Sequence, residues 1–184
     1  MNFPLNEGID DDSYRDVFRP LIDGIFQSYA PQAVVMQCGV DSVSGDRLGC
    51  FNLSVRGHGA CVRHLKEKGV PLMMLGGGGY TLRNVPRCWV YETGILLDQE
   101  IENDIPSNPY SCYFSPLEQI HLPTSNMENM NSKQFLHDSL STLHSFLKNV
   151  RPVTVDSWRT NYPHEDDGQP DDMDDQAEVD EIAL

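Results

Sequence analysis

Apolar residues recur at helical spacing from Tyr14 through Val17, Phe18, Leu21, Ile22, Ile25 and Phe26, so the opening segment predicts an amphipathic helix. Asp10 to Asp12 suit its N-terminus, where unpaired backbone N–H groups favour acids. The pattern ends near Tyr29, and Pro31 stops it. Ala33 to Cys38 is short, apolar and β-branched, which predicts a buried strand. A loop rich in Gly, Ser and Asp follows, from Gly39 to Asn52. His58, Cys61, Val62 and Leu65 mark one face of a second helix, closing near Lys66 to Gly69. Pro71 to Leu75 predicts a second buried strand, and four glycines, Gly76 to Gly79, come next. Val85, Cys88, Trp89, Glu92, Thr93 and Leu96 predict a third helix over about Leu82 to Leu97.

Residues 98 to 130 contain Pro106, Pro109, Pro116 and Pro123 and predict irregular structure wrapping the body. A last helix starts near Asn131, with Gln134 placed for a capping box, and carries Phe135, Leu140, Leu143, Phe146, Leu147 and Val150. The order helix, strand, helix, strand, helix implies parallel strands joined by a right-handed crossover. The fold class is therefore α/β, a partial parallel sheet flanked by helices. No internal repeat is visible.

Charge changes this picture at one end. The formal net charge is −15, and residues 165 to 184 hold ten of the acids and no Lys or Arg. The chain divides into a globular body, residues 1 to 160, and an acidic tail, residues 161 to 184, expected to be disordered. Direct nucleic-acid binding is disfavoured, because phosphate contacts need clustered cations. Basic partners are favoured instead. The five cysteines, Cys38, Cys50, Cys61, Cys88 and Cys112, form no CxxC pair and suit a reducing compartment. No apolar run approaches the length of a membrane span, so no membrane partner is expected.

Ligands of open parallel sheets bind beyond the carboxyl ends of the strands. Two loops leave such ends, one carrying Asp41 and the other the glycine run and Tyr80. The glycines fit neither a P-loop nor a dinucleotide fingerprint. They permit a close approach to a ligand, or simply a tight turn, and these residues alone leave both open. Asp41 reads as a metal ligand or a turn residue. Tyr80 reads as an oxyanion donor or a core tyrosine. Asp46 reads as structural, and His58 as a hydrogen-bonded core residue. His121, His137, His144 and His164 show no ligand spacing. Arg47 and Arg83 flank the two loops and suit either an anion or the surface.

These loops resemble a known family. QCGVDSVSGDRLGCFNLSVRGH, Gln37 to His58, is similar to the second metal-aspartate loop of histone deacetylases. LGGGGYTLRNVPRCWVYET, Leu75 to Thr93, is similar to their catalytic-tyrosine loop. MNFPLNEGIDDDSY before them, and SNPYSCYFSP and HLPTSNMENMNS after them, extend the likeness from about residue 2 to 130. The details resemble class I, the nuclear branch.

The resemblance implies an arginase/deacetylase-like fold and hydrolysis of N-acetyl-lysine at zinc. It implies that Asp41 ligates Zn2+ and that Tyr80 hydrogen-bonds the acetyl carbonyl. Gly78 would line the acetyl-lysine tunnel, Leu48 its rim and Cys38 an inner cavity. Arg47 and Arg83 would meet an inositol phosphate in a corepressor complex. Acetylated histone tails and corepressor subunits are the implied partners, transcriptional repression the implied role, and the nucleus the implied location, with cytosol as the alternative.

The chain departs from the family in containing no His-His pair and no Asp-x-His motif, which supply the family's general base and its other zinc ligands. The zinc site is expected to be incomplete, the N-terminal half of the domain lacking, and the chain inactive alone. A non-catalytic corepressor or histone interaction module is the alternative. A relative acting on acetylpolyamines or acetoin-related substrates is a third reading, disfavoured by the class I details.

Overall fold

A computed structural model describes residues 1 to 152; the acidic tail of residues 161 to 184 lies outside the described residues. Helix α1, Asp11–Tyr29, starts where the sequence indicates: the Asp10 side chain caps it, accepting from the Ser13 N–H at 2.8 Å. It continues through Pro20 and ends one residue before Pro31, at Ala30, whose left-handed backbone (φ 52°) turns the chain. Strand β1, Val34–Gln37, helix α2, Val55–Lys66, and strand β2, Leu72–Leu75, form the central unit. Ser54 caps α2 by accepting from the Gly57 N–H at 3.0 Å. Helix α3, Asn84–Leu96, packs against α2. A short helix α4, Ser111–Phe114, interrupts the segment expected to be irregular. Helix α5, Lys133–Leu147, packs on α1.

The expected capping box at α5 does not form. Ser132 caps the helix, accepting from Phe135 N–H at 3.1 Å, and Gln134 lies one position too early to reach back. Gln134 instead bonds Asp138, one turn on, at 2.8 Å. Val150 falls beyond the helix end.

Strands β1 and β2 pair in parallel, with Val34 opposite Leu72 and Gln37 opposite Leu75. The expectation that both are buried is half right. Val34, Met36, Leu72 and Met74 are partly covered, and Met36 and Met74 pack on Cys38, Val62 and Ile95 beneath the helices. The opposite face is bare: Val35 is 64%, Met73 58% and Leu75 42% exposed. The physical reason is that the described helices supply packing to one side of the sheet only. The other two core clusters centre on Val40, Val43, Val55, Cys88 and Ile120, and on Ile9, Val17 and Leu136.

The wrapping segment is held by one buried cation. Arg87, on α3, donates Nε to Gln119 O at 2.7 Å, Nη2 to Leu117 O at 2.7 Å and Phe114 O at 3.1 Å, and Nη1 to Arg83 O at 3.2 Å. Its guanidinium also lies over the Phe114 ring, 5.0 Å from the centroid. Burial, and then the nearby Arg83 charge, lower its pKa. Asn131 ties the far end of the segment to the N-terminal strand of chain, accepting from Asn6 N–H at 2.8 Å and donating to Asn6 O at 3.0 Å.

The bare face of the sheet sets a testable expectation. Replacing Val35 and Met73 with Lys should raise the soluble yield of the chain, since exposed apolar strands invite association. The unfolding free energy should move by no more than about 1 kcal/mol, because neither side chain packs on the core. Yield by centrifugation and urea unfolding of the double variant check both.

Candidate functional site

The site begins where the two parallel strands end. After β1 the chain makes a one-turn 3-10 helix, Val40–Ser42, and after β2 it runs through the glycines to Tyr80. Parallel pairing sends both loops off the same edge of the sheet, and hydrogen bonds continue past the strands. Cys38 N–H donates to Leu75 O at 2.8 Å and Val40 N–H to Gly78 O at 2.7 Å. The loops are thus zipped together before any side chain acts.

Two glycines make this contact possible. A Cβ at Gly78 would collide with the Asp41 carboxylate. Gly79 has φ +143°, a conformation costly for other residues, and a Cβ there would lie 2.6 Å from Val85 Cγ2. The glycine run thus admits the Asp41 carboxylate against the main chain, where a side chain would not fit. The Asp41 carboxylate accepts no hydrogen bond among the described residues, so both oxygens are available to a ligand.

Asp46 closes the two loops into one unit. Its Oδ1 accepts from Leu48 N–H and Gly49 N–H, both at 2.9 Å, within its own loop. Its Oδ2 accepts from Tyr80 N–H at 2.8 Å and Thr81 N–H at 3.1 Å in the other loop. Burial alone would raise the Asp46 pKa, but the four backbone donors outweigh it and hold the carboxyl below its ordinary range. Thr81 Oγ1 donates to Gly45 O at 2.8 Å beside this clamp. Asp46 is structural, as its turn position suggests, yet it fixes the backbone of Tyr80.

The remaining candidates fall around this unit. Tyr80 projects from it, 44% exposed, and Leu48 is 69% exposed. Arg47 and Arg83 are exposed on the two loops, and neither forms an ion pair among the described residues. Cys38 is buried, lining a cavity of about 180 Å3 with Trp89 and Glu92. Burial, reinforced by Glu92, pushes its thiol up to about 12, so it stays protonated and is a poor nucleophile.

The pair beneath the loops was only half visible in the sequence. His58, on α2, shares a hydrogen bond between Nδ1 and the buried Glu92 of α3, and its Nε2 meets Gly39 O at 3.0 Å. Burial lowers the His58 pKa, but the Glu92 contact outweighs it, and the net shift is upward. The helical spacing marked His58 as a core residue; nothing in the local pattern named Glu92 as its partner. Trp89 Nε1–H donates to Cys38 O at 2.9 Å, a bond between elements that no local pattern marks. Together these contacts anchor the end of β1 from below.

A catalytic zinc keeps about three protein ligands. Asp41 is a hard, open carboxylate suited to be one of them. No second ligand stands with it among the described residues, and both ring nitrogens of His58 are already engaged. His58, Cys88 and Glu92 do cluster, but all are buried, and the Cys88 thiol is pushed well up by burial and then by Glu92. The described residues alone do not fit a catalytic zinc centre.

The chain is similar to known proteins over most of its length. Residues 1–96 match the model of the histone deacetylase domain. The chain is 48% identical over 180 residues to Type-1 histone deacetylase 1 of Dictyostelium discoideum, covering 93% of this chain and 36% of that protein. It is 50% identical over 173 residues to Probable histone deacetylase 19 of Zea mays, covering 93% and 34%. It is 52% identical over 136 residues to Histone deacetylase 1 of Homo sapiens, covering 74% and 28%. The chain spans about a third of the length of the curated relatives it matches.

Two outcomes follow from the geometry. Asp46→Asn keeps the shape but loses one acceptor oxygen, so exchange at the Tyr80 and Thr81 amides should quicken by about tenfold or more, read by hydrogen-exchange mass spectrometry. Because the folded Asp46 pKa is lowered, its contribution is present above the unfolded value near 3.8 and is lost as pH falls through the folded value. The variant should therefore lose less stability than the parent on acidification. His58 behaves oppositely. Its folded pKa is raised, so the stability it adds is complete below about 6.5 and fades as pH rises through the folded value. Glu92→Gln should cost about 3 kcal/mol at mildly acidic pH, and the gap should narrow on raising the pH, followed by thermal unfolding.

Proposed function

The chain belongs to the histone deacetylase family, and from that premise we propose that it carries the aspartate-and-tyrosine half of a class I lysine deacetylase site, acting on N-acetyl-lysine of histone tails in transcriptional repression. The observation that carries this reading is the Asp46 clamp, which holds the Asp41 loop and the Tyr80 loop as one rigid edge of the sheet.

Within that reading each residue has a task. Asp41 would hold one position of a Zn2+ ion completed by ligands from outside the described residues, and that ion would supply polarisation of the scissile carbonyl and acidification of a bound water. The other ligands and the general base are not among the described residues. Tyr80 donates its hydroxyl hydrogen to the acetyl oxygen as negative charge develops there. Such a donor contributes on the order of 3 kcal/mol to the barrier. Gly78 leaves room for a slender acylated side chain, Leu48 forms an apolar rim, and Cys38 lines the space behind. Arg47 and Arg83, exposed and in no ion pair among the described residues, offer two guanidinium groups to an inositol phosphate shared with a corepressor subunit. The domain assignment, body to residue 160 and acidic tail after it, and a nuclear location belong to the same proposal.

A second reading is favoured by the incomplete ligand set: the chain serves as a non-catalytic module for corepressor or histone contact. The two are separated by activity. The purified chain with Zn2+ should show no turnover of an acetyl-lysine peptide; clear zinc-dependent turnover would overturn the incomplete-site reading. Grafted in place of the matching segment of the Dictyostelium relative, residues 1 to 152 should restore deacetylation, and Tyr80→Phe in that chimera should lower kcat by about 100-fold or more. A folded chimera without activity would leave the interaction module as the function.

A further inference from the structure

Away from the strand ends, the first turns of α3, residues 100 to 106 and Phe114 enclose an apolar groove of about 420 Å3. Pro86, Val90, Ile101, Ile105, Phe114 and the buried Ile120 form its walls. Its rim is acidic, with Glu100, Glu102 and Asp104. Arg87 is the one cation lining it, and its donors are committed to backbone carbonyls. None of the three rim acids forms a salt bridge among the described residues. The groove shares no lining residue with the Asp41 and Tyr80 loops.

We propose that this groove is a docking site for a basic peptide segment of a protein partner, which seats one apolar side chain between Val90 and Phe114 and sets Lys or Arg residues against Glu100, Glu102 and Asp104. The charge pattern selects among occupants. The chain's own residues 165 to 184 carry ten acids and no Lys or Arg, so the rim repels them. A second copy of a chain with net charge −15 meets the same repulsion. An uncharged apolar ligand would gain nothing from the Glu100 and Glu102 carboxylates, whereas Asp104 already accepts from Gln119 Nε2 at 3.2 Å. A segment alternating basic and apolar residues satisfies both parts, the floor by burial and the rim by ion pairs at the edge of solvent. Because those pairs are exposed, their share is sensitive to salt, whereas the apolar anchor is not. This inference stands apart from the deacetylase reading and requires no catalysis.

The test uses the full chain and a short fluorescein-labelled peptide of Lys and Arg residues around one central Leu, with a counterpart in which Ser replaces Leu. Fluorescence anisotropy should show the Leu peptide binding about tenfold or more tightly than the Ser peptide. Val90→Arg places a like charge in the groove at an exposed position, and Glu100→Lys with Glu102→Lys reverses the rim. Each should weaken the Leu peptide by about tenfold or more, with thermal unfolding unchanged. Equal affinity for the two peptides would mean general attraction to the chain's negative charge and would overturn the proposal. So would undiminished binding to the Val90→Arg chain, or no binding by the parent. Sedimentation showing self-association that Val90→Arg abolishes and the Leu peptide leaves intact would assign the groove to a second copy instead.

Discussion

Four backbone N–H groups converge on the Asp46 carboxylate, and the candidate site depends on that convergence. Two donors belong to the loop after β1 and two to the loop after β2. A loop held only at its ends samples many conformations, and ordering each residue costs roughly 1–2 kcal/mol. An ionised acceptor shared between loops offsets that cost where a neutral one would do so less well, since charge-assisted hydrogen bonds are the stronger kind. The parallel pairing brings the loops to the same edge, and the glycines let them touch. Asp46 then fixes their register, and with it the point at which Tyr80 leaves the backbone.

Much of this architecture was legible because it is local. The apolar spacing from Tyr14 to Phe26 and the acids before it define α1 almost to the residue. The two short apolar runs locate β1 and β2, and the crossover between them implies their parallel pairing. Where local pattern failed, a nonlocal partner decided the outcome. Burial of the strands depends on what covers the sheet, which no property of Val35 or Met73 reveals. Gln134 sits one residue from the position that would close a capping box, because the cap is Ser132 rather than Asn131. The Asp46 clamp and the His58–Glu92 pair join positions 34 residues apart, so spacing within one element cannot show them. Topology and resemblance single out Asp41 and Tyr80, whereas the link between their loops through Asp46 is a property of the folded chain.

One face of the sheet and the Asp41 carboxylate are both left without partners among the described residues. The helices cover one face of β1 and β2 and leave Val35, Met73 and Leu75 open. Asp41 likewise stands without a second ligand among the described residues. Both occur in a chain that spans about a third of the length of its curated relatives. The layer below differs: His58 and Glu92 are buried and hydrogen-bonded to each other, and the partly exposed Trp89 donates to Cys38 O. The loops are therefore supported from beneath by contacts internal to this chain.

Arg87 holds residues 114 to 119 almost wholly through main-chain oxygens. Every residue type supplies a carbonyl, so this grip makes no demand on which side chains the segment carries. Mutations can drift through most of the segment without loosening it, whereas Arg87 itself has no substitute with the same fork of donors. Shape and sequence are thereby decoupled on one stretch of the surface, and the loop is free to acquire new chemical specificities while its path stays constant.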